Sequence, residues 1–212
     1  MEKTREAIEA DIQRRVTTHF GQGFALLEKL DETENIKFGH ISRVVHKARD
    51  GDGKIVAIII VDSKRGRKQR QLESLNIAVN ELHALDFVRE NTTIPVSKVH
   101  KMVVDDQYIF QVMDFIEGTI LSSVYDTLDK STFSAIEKQL REYISQLRKF
   151  GGDGKALIHG CLGTYSILVN GDKVTALTNW GRSKEDDESE ELRITSAKAW
   201  DDQKEFIANL LR

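Results

Sequence analysis

Ile158-His159-Gly160-Cys161-Leu162-Gly163-Thr164-Tyr165-Ser166-Ile167-Leu168-Val169 is a polar, glycine-punctuated loop that runs into an apolar strand. Asn170-Gly171 then turns the chain into Lys173-Val174-Thr175-Ala176-Leu177-Thr178, and Asn179-Trp180 follows. Two apolar runs around Asn-Gly predict a β-hairpin with a type I′ turn, since asparagine and glycine tolerate the positive φ that such a turn needs. On the N-terminal side, Phe133, Ile136, Leu140, Tyr143, Ile144 and Leu147 recur at helical spacing between Ser131 and Lys149. That stripe predicts a buried helix capped by Ser131 or Thr132 and stopped by Gly151-Gly152-Asp153-Gly154. On the C-terminal side, the acidic run Glu185 to Glu191 could gather a cation, but adjacent like charges predict a solvated, disordered segment instead. Trp200 to Leu211 reads as a short terminal helix.

The first half is β-rich. Ile8, Ile12 and Val16 lie four apart among charged neighbours and predict a surface helix over residues 3–18, and Phe24 to Leu30 is expected to continue helical. Ile41 to Lys47 and Lys54 to Val61 flank Asp50-Gly51-Asp52-Gly53, which predicts a hairpin. Ser63 to Gln71 carries Lys64, Arg65, Arg67, Lys68 and Arg70 and is expected to be an exposed loop rather than a phosphate site. A helix is predicted from Leu75 to Arg89, with Ile77, Leu82, Leu85 and Val88 on one side and Glu81 among its polar positions. Pro95 forces extended backbone ahead of Lys98 to Val104, and Asp105-Asp106 turns that strand into Tyr108 to Met113. Gly118 follows as the expected hinge. Strands, one crossing helix, more strands and then a more helical half predict an α+β protein with an antiparallel sheet.

Bulk properties exclude several functions. The 212 residues are 31% charged and 40% hydrophobic with a net charge of −3, so there is material for a core but no basic field to attract nucleic acid. Cys161 is the single cysteine, which excludes an internal disulfide and a cysteine-rich zinc site. The apolar run Ile55 to Val61 is about a third of the roughly 20 residues a membrane-spanning helix requires. His46, His83 and His100 lack metal-ligand spacing, and Met1 to Glu6 is charged, unlike a secretory leader. The expectation is a cytoplasmic protein with neither membrane nor nucleic-acid partner.

Three segments in order resemble the aminoglycoside phosphotransferase and choline-kinase-like family, in particular its divergent fungal branch. Leu85 to Glu90 with Ile94-Pro95-Val96-Ser97-Lys98-Val99 is similar to that branch's helix-to-strand passage. Val112-Met113-Asp114-Phe115-Ile116-Glu117-Gly118-Thr119 resembles its hinge strand, and the opening loop with Leu177-Thr178-Asn179-Trp180 resembles its catalytic and metal-binding loops. The resemblance implies a protein-kinase-like two-lobed fold. Its N-lobe, 1–117, would hold an antiparallel sheet and one helix, and its reduced, mostly helical C-lobe, 118–212, would hold a degenerate catalytic loop at 158–169 and a metal-loop remnant at 177–181. Only 32 residues follow Trp180, so the family's acceptor pocket is expected to be reduced or rebuilt.

The departures fall on the chemistry that the resemblance implies. Cys161 stands where the family has the aspartate that takes the substrate proton, Ser166 where it has a magnesium-binding asparagine, and Asn179 where it has the metal-bridging aspartate. Magnesium is held through oxygen ligands, usually with one or two carboxylates, and phosphoryl transfer depends on neutralising phosphate charge. The family's lysine should fall near Val61, a hydrophobe, with Lys64 three residues on, while Glu81 keeps the helix glutamate's place. Gly21-Gln22-Gly23 is too weak a match for a phosphate loop. The expectation is therefore a kinase-like pseudoenzyme with neither metal nor cofactor, which binds a small molecule or a protein partner. His159, Cys161, Ser166 and Asn179 are remnant catalytic positions, and Val61, Glu81, Met113, Tyr165 and Trp180 are candidate ligand contacts. The alternative is an enzyme repurposed for cyclisation, isomerisation or addition in natural-product biosynthesis. A histidine-activated Cys161 thiol would suit it, although a structural role for His159 is the preferred reading. A third option is a residual kinase using Asp114 or Asp172 as a substitute acid.

Overall fold

The computed structural model describes residues 5–33, 42–63, 68–151, 155–187, 190, 206 and 210. The chain divides into two units, Met1–Leu75 with Val99–Phe115 and Asn76–Lys98 with Ile116–Arg212. Residues 76–98, expected in the N-terminal lobe, thus group with the second unit, and the later division at 115/116 lies two residues from the expected boundary. The architecture is α+β with an antiparallel main sheet.

In the first unit, helix α1 (Arg5–Phe20) is followed by β1 (Ala25–Thr33), β2 (Ser42–Arg49) and β3 (Ile55–Asp62). Helix α2 (Lys68–Asn91), which belongs to the second unit from Asn76 onward, leads on to β4 (Val99–Val104) and β5 (Tyr108–Asp114). The strands form one sheet in the order β1-β2-β3-β5-β4, with every neighbouring pair antiparallel. Both predicted hairpins are present as β2–β3 and β4–β5. Side chains alternate across a strand, so Val56, Ile58 and Ile60 of β3 share a face with Phe110 and Val112 of β5. Ile12 and Val16 of α1, with Phe24, join these residues in one core. Val16 is completely buried, which stabilises the helix on the sheet by roughly 1.5–3 kcal/mol.

Two expectations fail in this unit. Phe24 to Leu30 is strand, not helix: α1 ends at Phe20, and Ala25–Thr33 pairs with β2. Lys68 to Gln71 is the first turn of α2 rather than loop, whereas residues 64–67 lie outside the described residues. A charged cluster also holds α1 against the β4–β5 turn. Arg15 Nη1 donates to Asp105 Oδ2 at 2.7 Å and to Asp106 Oδ1 at 2.6 Å, and His19 Nε2 lies 3.1 Å from Asp105 Oδ2. Asp105 Oδ1 closes the turn by accepting from the amides of Gln107 and Tyr108, both at 2.7 Å.

The second unit holds β6 (Thr119–Ile120), α3 (Leu121–Val124), α4 (Lys130–Leu147), β7 (Ala156–Ile158), β8 (Ile167–Asn170), β9 (Lys173–Leu177) and β10 (Lys184–Asp186). The predicted stripe of α4 is buried at Ile136, Leu140, Ile144 and Leu147, but its cap is Asp129, whose carboxylate accepts from the amides of Ser131 and Thr132. The β8–β9 hairpin forms as expected, with β6 as third strand. Its turn is not type I′. Asn170 pairs with Lys173, so the loop is Gly171-Asp172, and of these only Gly171 has positive φ. The head of the acidic run is ordered too: Glu185 and Asp186 belong to β10, which pairs with β7. Of the predicted terminal helix, Phe206 and Leu210 are described, helical and buried, and the rest of 200–211 lies outside the described residues.

Candidate functional site

The loop between β7 and β8 is built from glycine and from polar groups turned inward. Gly160 has φ +71, and a Cβ there would lie 2.0 Å from the Arg182 carbonyl oxygen, so no other residue fits without moving backbone. The turn presents the preceding His159 to the interior, where it is 1% exposed. Its Nδ1 accepts the Cys161 amide at 3.2 Å, and its ring lies 4.3 Å from that of Trp180. An Nδ1 that accepts carries no proton, which sets the neutral imidazole as the Nε2–H tautomer. The histidine thus braces the loop backbone.

Ser166, at the end of a 3-10 turn over Thr164–Ser166, is fully buried. Its hydroxyl accepts from the Gly163 amide at 2.9 Å and donates to the Gly163 carbonyl at 2.8 Å. Both roles of the hydroxyl are spent inside the loop. The Ser166 carbonyl in turn accepts from the Thr178 amide at 2.9 Å and from Thr178 Oγ1 at 3.3 Å, which ties the loop to the end of β9.

Just beyond, Asn179 adopts φ 68 and ψ 43. This left-handed conformation suits asparagine better than most residues. Trp180 is completely buried and anchored by its indole N–H, which donates to the Leu177 carbonyl at 3.0 Å. Half-buried Cys161 has its sulfur 3.6 Å from Tyr165 Oη.

The structure thus brings His159, Cys161, Tyr165, Ser166, Asn179 and Trp180 into one segment of the second unit. Glu81, also of that unit, lies on α2 and is 5% exposed. Val61 and Met113 belong to the first unit, on neighbouring strands and on the same face of the sheet, where Ala57 pairs with Met113 and Val61 with Ile109. Among the described residues, no group of three or more His, Cys, Asp or Glu side chains could hold a metal ion. Nor is any described helix long and apolar enough to cross a membrane. A cavity of about 30 Å³ beside His159, lined by Leu140, Ile144, Leu162 and Leu177, has room for little more than a water molecule.

The substitute acids Asp114 and Asp172 have partners of their own. Asp114, in the first unit, accepts from Lys54 Nζ at 3.0 Å and lies 2.8 Å from His100 Nε2. Burial pushes its carboxyl up, but these two partners outweigh burial and hold it below the usual carboxylate value. Asp172 sits in the exposed hairpin turn of the second unit, and its backbone carbonyl accepts from Gln139.

Sequence reasoning missed Asn80. Its Nδ2 donates to the carbonyls of Gly181 at 3.1 Å and Ser183 at 2.9 Å. The available signal was an asparagine inside a helix, where its propensity is poor.

No protein-family model matches the chain, and no curated protein matches it.

Proposed function

We propose that the chain is a kinase-like pseudoenzyme of two lobes that does not transfer phosphoryl groups from Mg-ATP, and that it binds a small molecule or a protein partner. The observation that carries this reading is Ser166, a buried hydroxyl satisfied as both donor and acceptor by Gly163. Because this hydroxyl is fully buried, it would have to turn out of the loop to ligate magnesium, and doing so would leave the Gly163 amide unpaired, which costs about 1–3 kcal/mol before any metal bond forms. Cys161 and Asn179 add no carboxylate nearby, and magnesium sites rely on one or two. Repurposed chemistry through a cysteine–histidine pair draws less support. The Nδ1 of His159 is committed to the backbone of Cys161 rather than to its thiol, so the imidazole braces the loop.

The test is thermal unfolding with ATP, with and without magnesium. Occupancy of a site at a hundredfold excess over Kd adds ~2.7 kcal/mol, a rise of several degrees. The expected result is no magnesium-dependent rise. A rise of that size, reversed by EDTA, overturns the reading.

A further inference from the structure

Helix α2 and the Leu177–Ser183 loop are stapled together at both ends of the loop. At one end the Leu177 amide donates to the Pro95 carbonyl at 2.9 Å, just beyond the helix. At the other, the side-chain amide of Asn80 spans the carbonyls of Gly181 and Ser183. A side-chain amide has two N–H donors, so Asn80 devotes both to this loop. Gly181 and Ser183 are themselves buried, and a buried carbonyl stripped of its donor incurs the full desolvation cost.

One turn earlier on the same helix, Ile77 meets Gly181. A Cβ on Gly181 would lie 2.5 Å from Ile77 Cγ2 and 2.9 Å from the Ile77 carbonyl oxygen, so glycine is what permits the approach. Between the staples, the left-handed turn at Asn179 and the Trp180 indole bond to Leu177 leave little slack. The segment after the helix is tied to the same unit by Gln146, whose Oε1 accepts from the Thr93 amide and whose Nε2 donates to Thr93 Oγ1, both at 2.8 Å.

We propose that residues 76–98 and the Leu177–Ser183 loop form one cooperative opening unit, with Asn80 as its clasp, so that the loop opens only when the helix does. A loop that admits and releases a ligand by local motion belongs to the least stable part of a protein. This one is coupled to a 24-residue helix instead. The proposal does not rest on the pseudoenzyme reading, because it concerns how the loop is held and not what it binds.

The experiment is amide hydrogen exchange on the full chain, followed at Leu177, Ser183 and the α2 amides beyond Asn80. In the parent protein, the loop and helix amides should share one opening free energy and one dependence on denaturant. Asn80→Ala should accelerate exchange in both segments together by about tenfold or more, the effect of two lost bonds to buried carbonyls. Asn76→Ala, at an exposed position of the same helix, should accelerate neither, since alanine is the better helix former. Faster exchange of the loop alone, or none in either segment, overturns the proposal. Should Asn80→Ala fail to fold, different denaturant dependences for the two segments in the parent protein would overturn it equally.

Discussion

Two turns of this molecule are held by opposite kinds of chemistry. The β4–β5 turn of the first unit is fixed by charge: Asp105 collects Arg15, His19 and two backbone amides at the edge of the sheet. The His159–Ser183 segment of the second unit is fixed by neutral groups, an imidazole, a hydroxyl, an indole and a side-chain amide, all bonded to backbone. The first arrangement answers to acidity, since its carboxylate can be protonated. The second depends on shape and on complete pairing of buried polar atoms, so it tolerates almost no substitution.

The largest effect should come from Gly160→Ala, which adds a left-handed strain and a clash with the Arg182 backbone. Urea unfolding should show a loss of ~3 kcal/mol or more. Ser166→Ala comes next, because it strips the Gly163 amide of its acceptor while the Ser166 amide still bonds the Gly163 carbonyl. About 2 kcal/mol is expected from the unpaired buried donor, and a near-neutral result would remove the main support for the proposed function.

Asp105→Asn should cost no more than this at neutral pH, about 2 kcal/mol, but it should change the acid limb. Burial pushes the Asp105 carboxyl up, yet bonds from Tyr108, Gln107, Arg15 and His19 outweigh burial and bring it from the usual 3.8 to about 2. Its contribution is therefore complete above 3.8 and lost as pH falls towards 2. Stability curves of parent and variant should converge across that window, and parallel curves would show that charge does not hold the turn.

The contrast also explains what the sequence disclosed. Apolar periodicity gave away the β2–β3 and β4–β5 hairpins, α1 and α4, because burial on one face writes itself into the spacing. β1 was hidden for a definable reason. Its pairing slips between Leu26 and Glu28 and again between Lys29 and Asp31, and each bulge inserts a residue that breaks the alternation of a strand. Leu27 and Leu30, the two inserted residues, are 45% and 39% exposed. At three residues apart they counterfeit a helical stripe. Asp129 was overlooked as a cap because Ser131 and Thr132, equally good caps by type, sit beside it.

The candidate site divides in the same way. The order His159, Cys161, Ser166, Asn179 and Trp180 was readable as a frame, whereas the inward bonding of Ser166 and the reach of Asn80 depend on which groups folding leaves unpaired. Those pairings are settled by tertiary position, not by local pattern.

Trp180 gives the second unit an optical gauge. An indole shielded from water emits at shorter wavelength than a hydrated one. With no exposed surface, its colour registers whether water has reached this part of the interior, once Trp200, the other tryptophan of the chain, is replaced by phenylalanine.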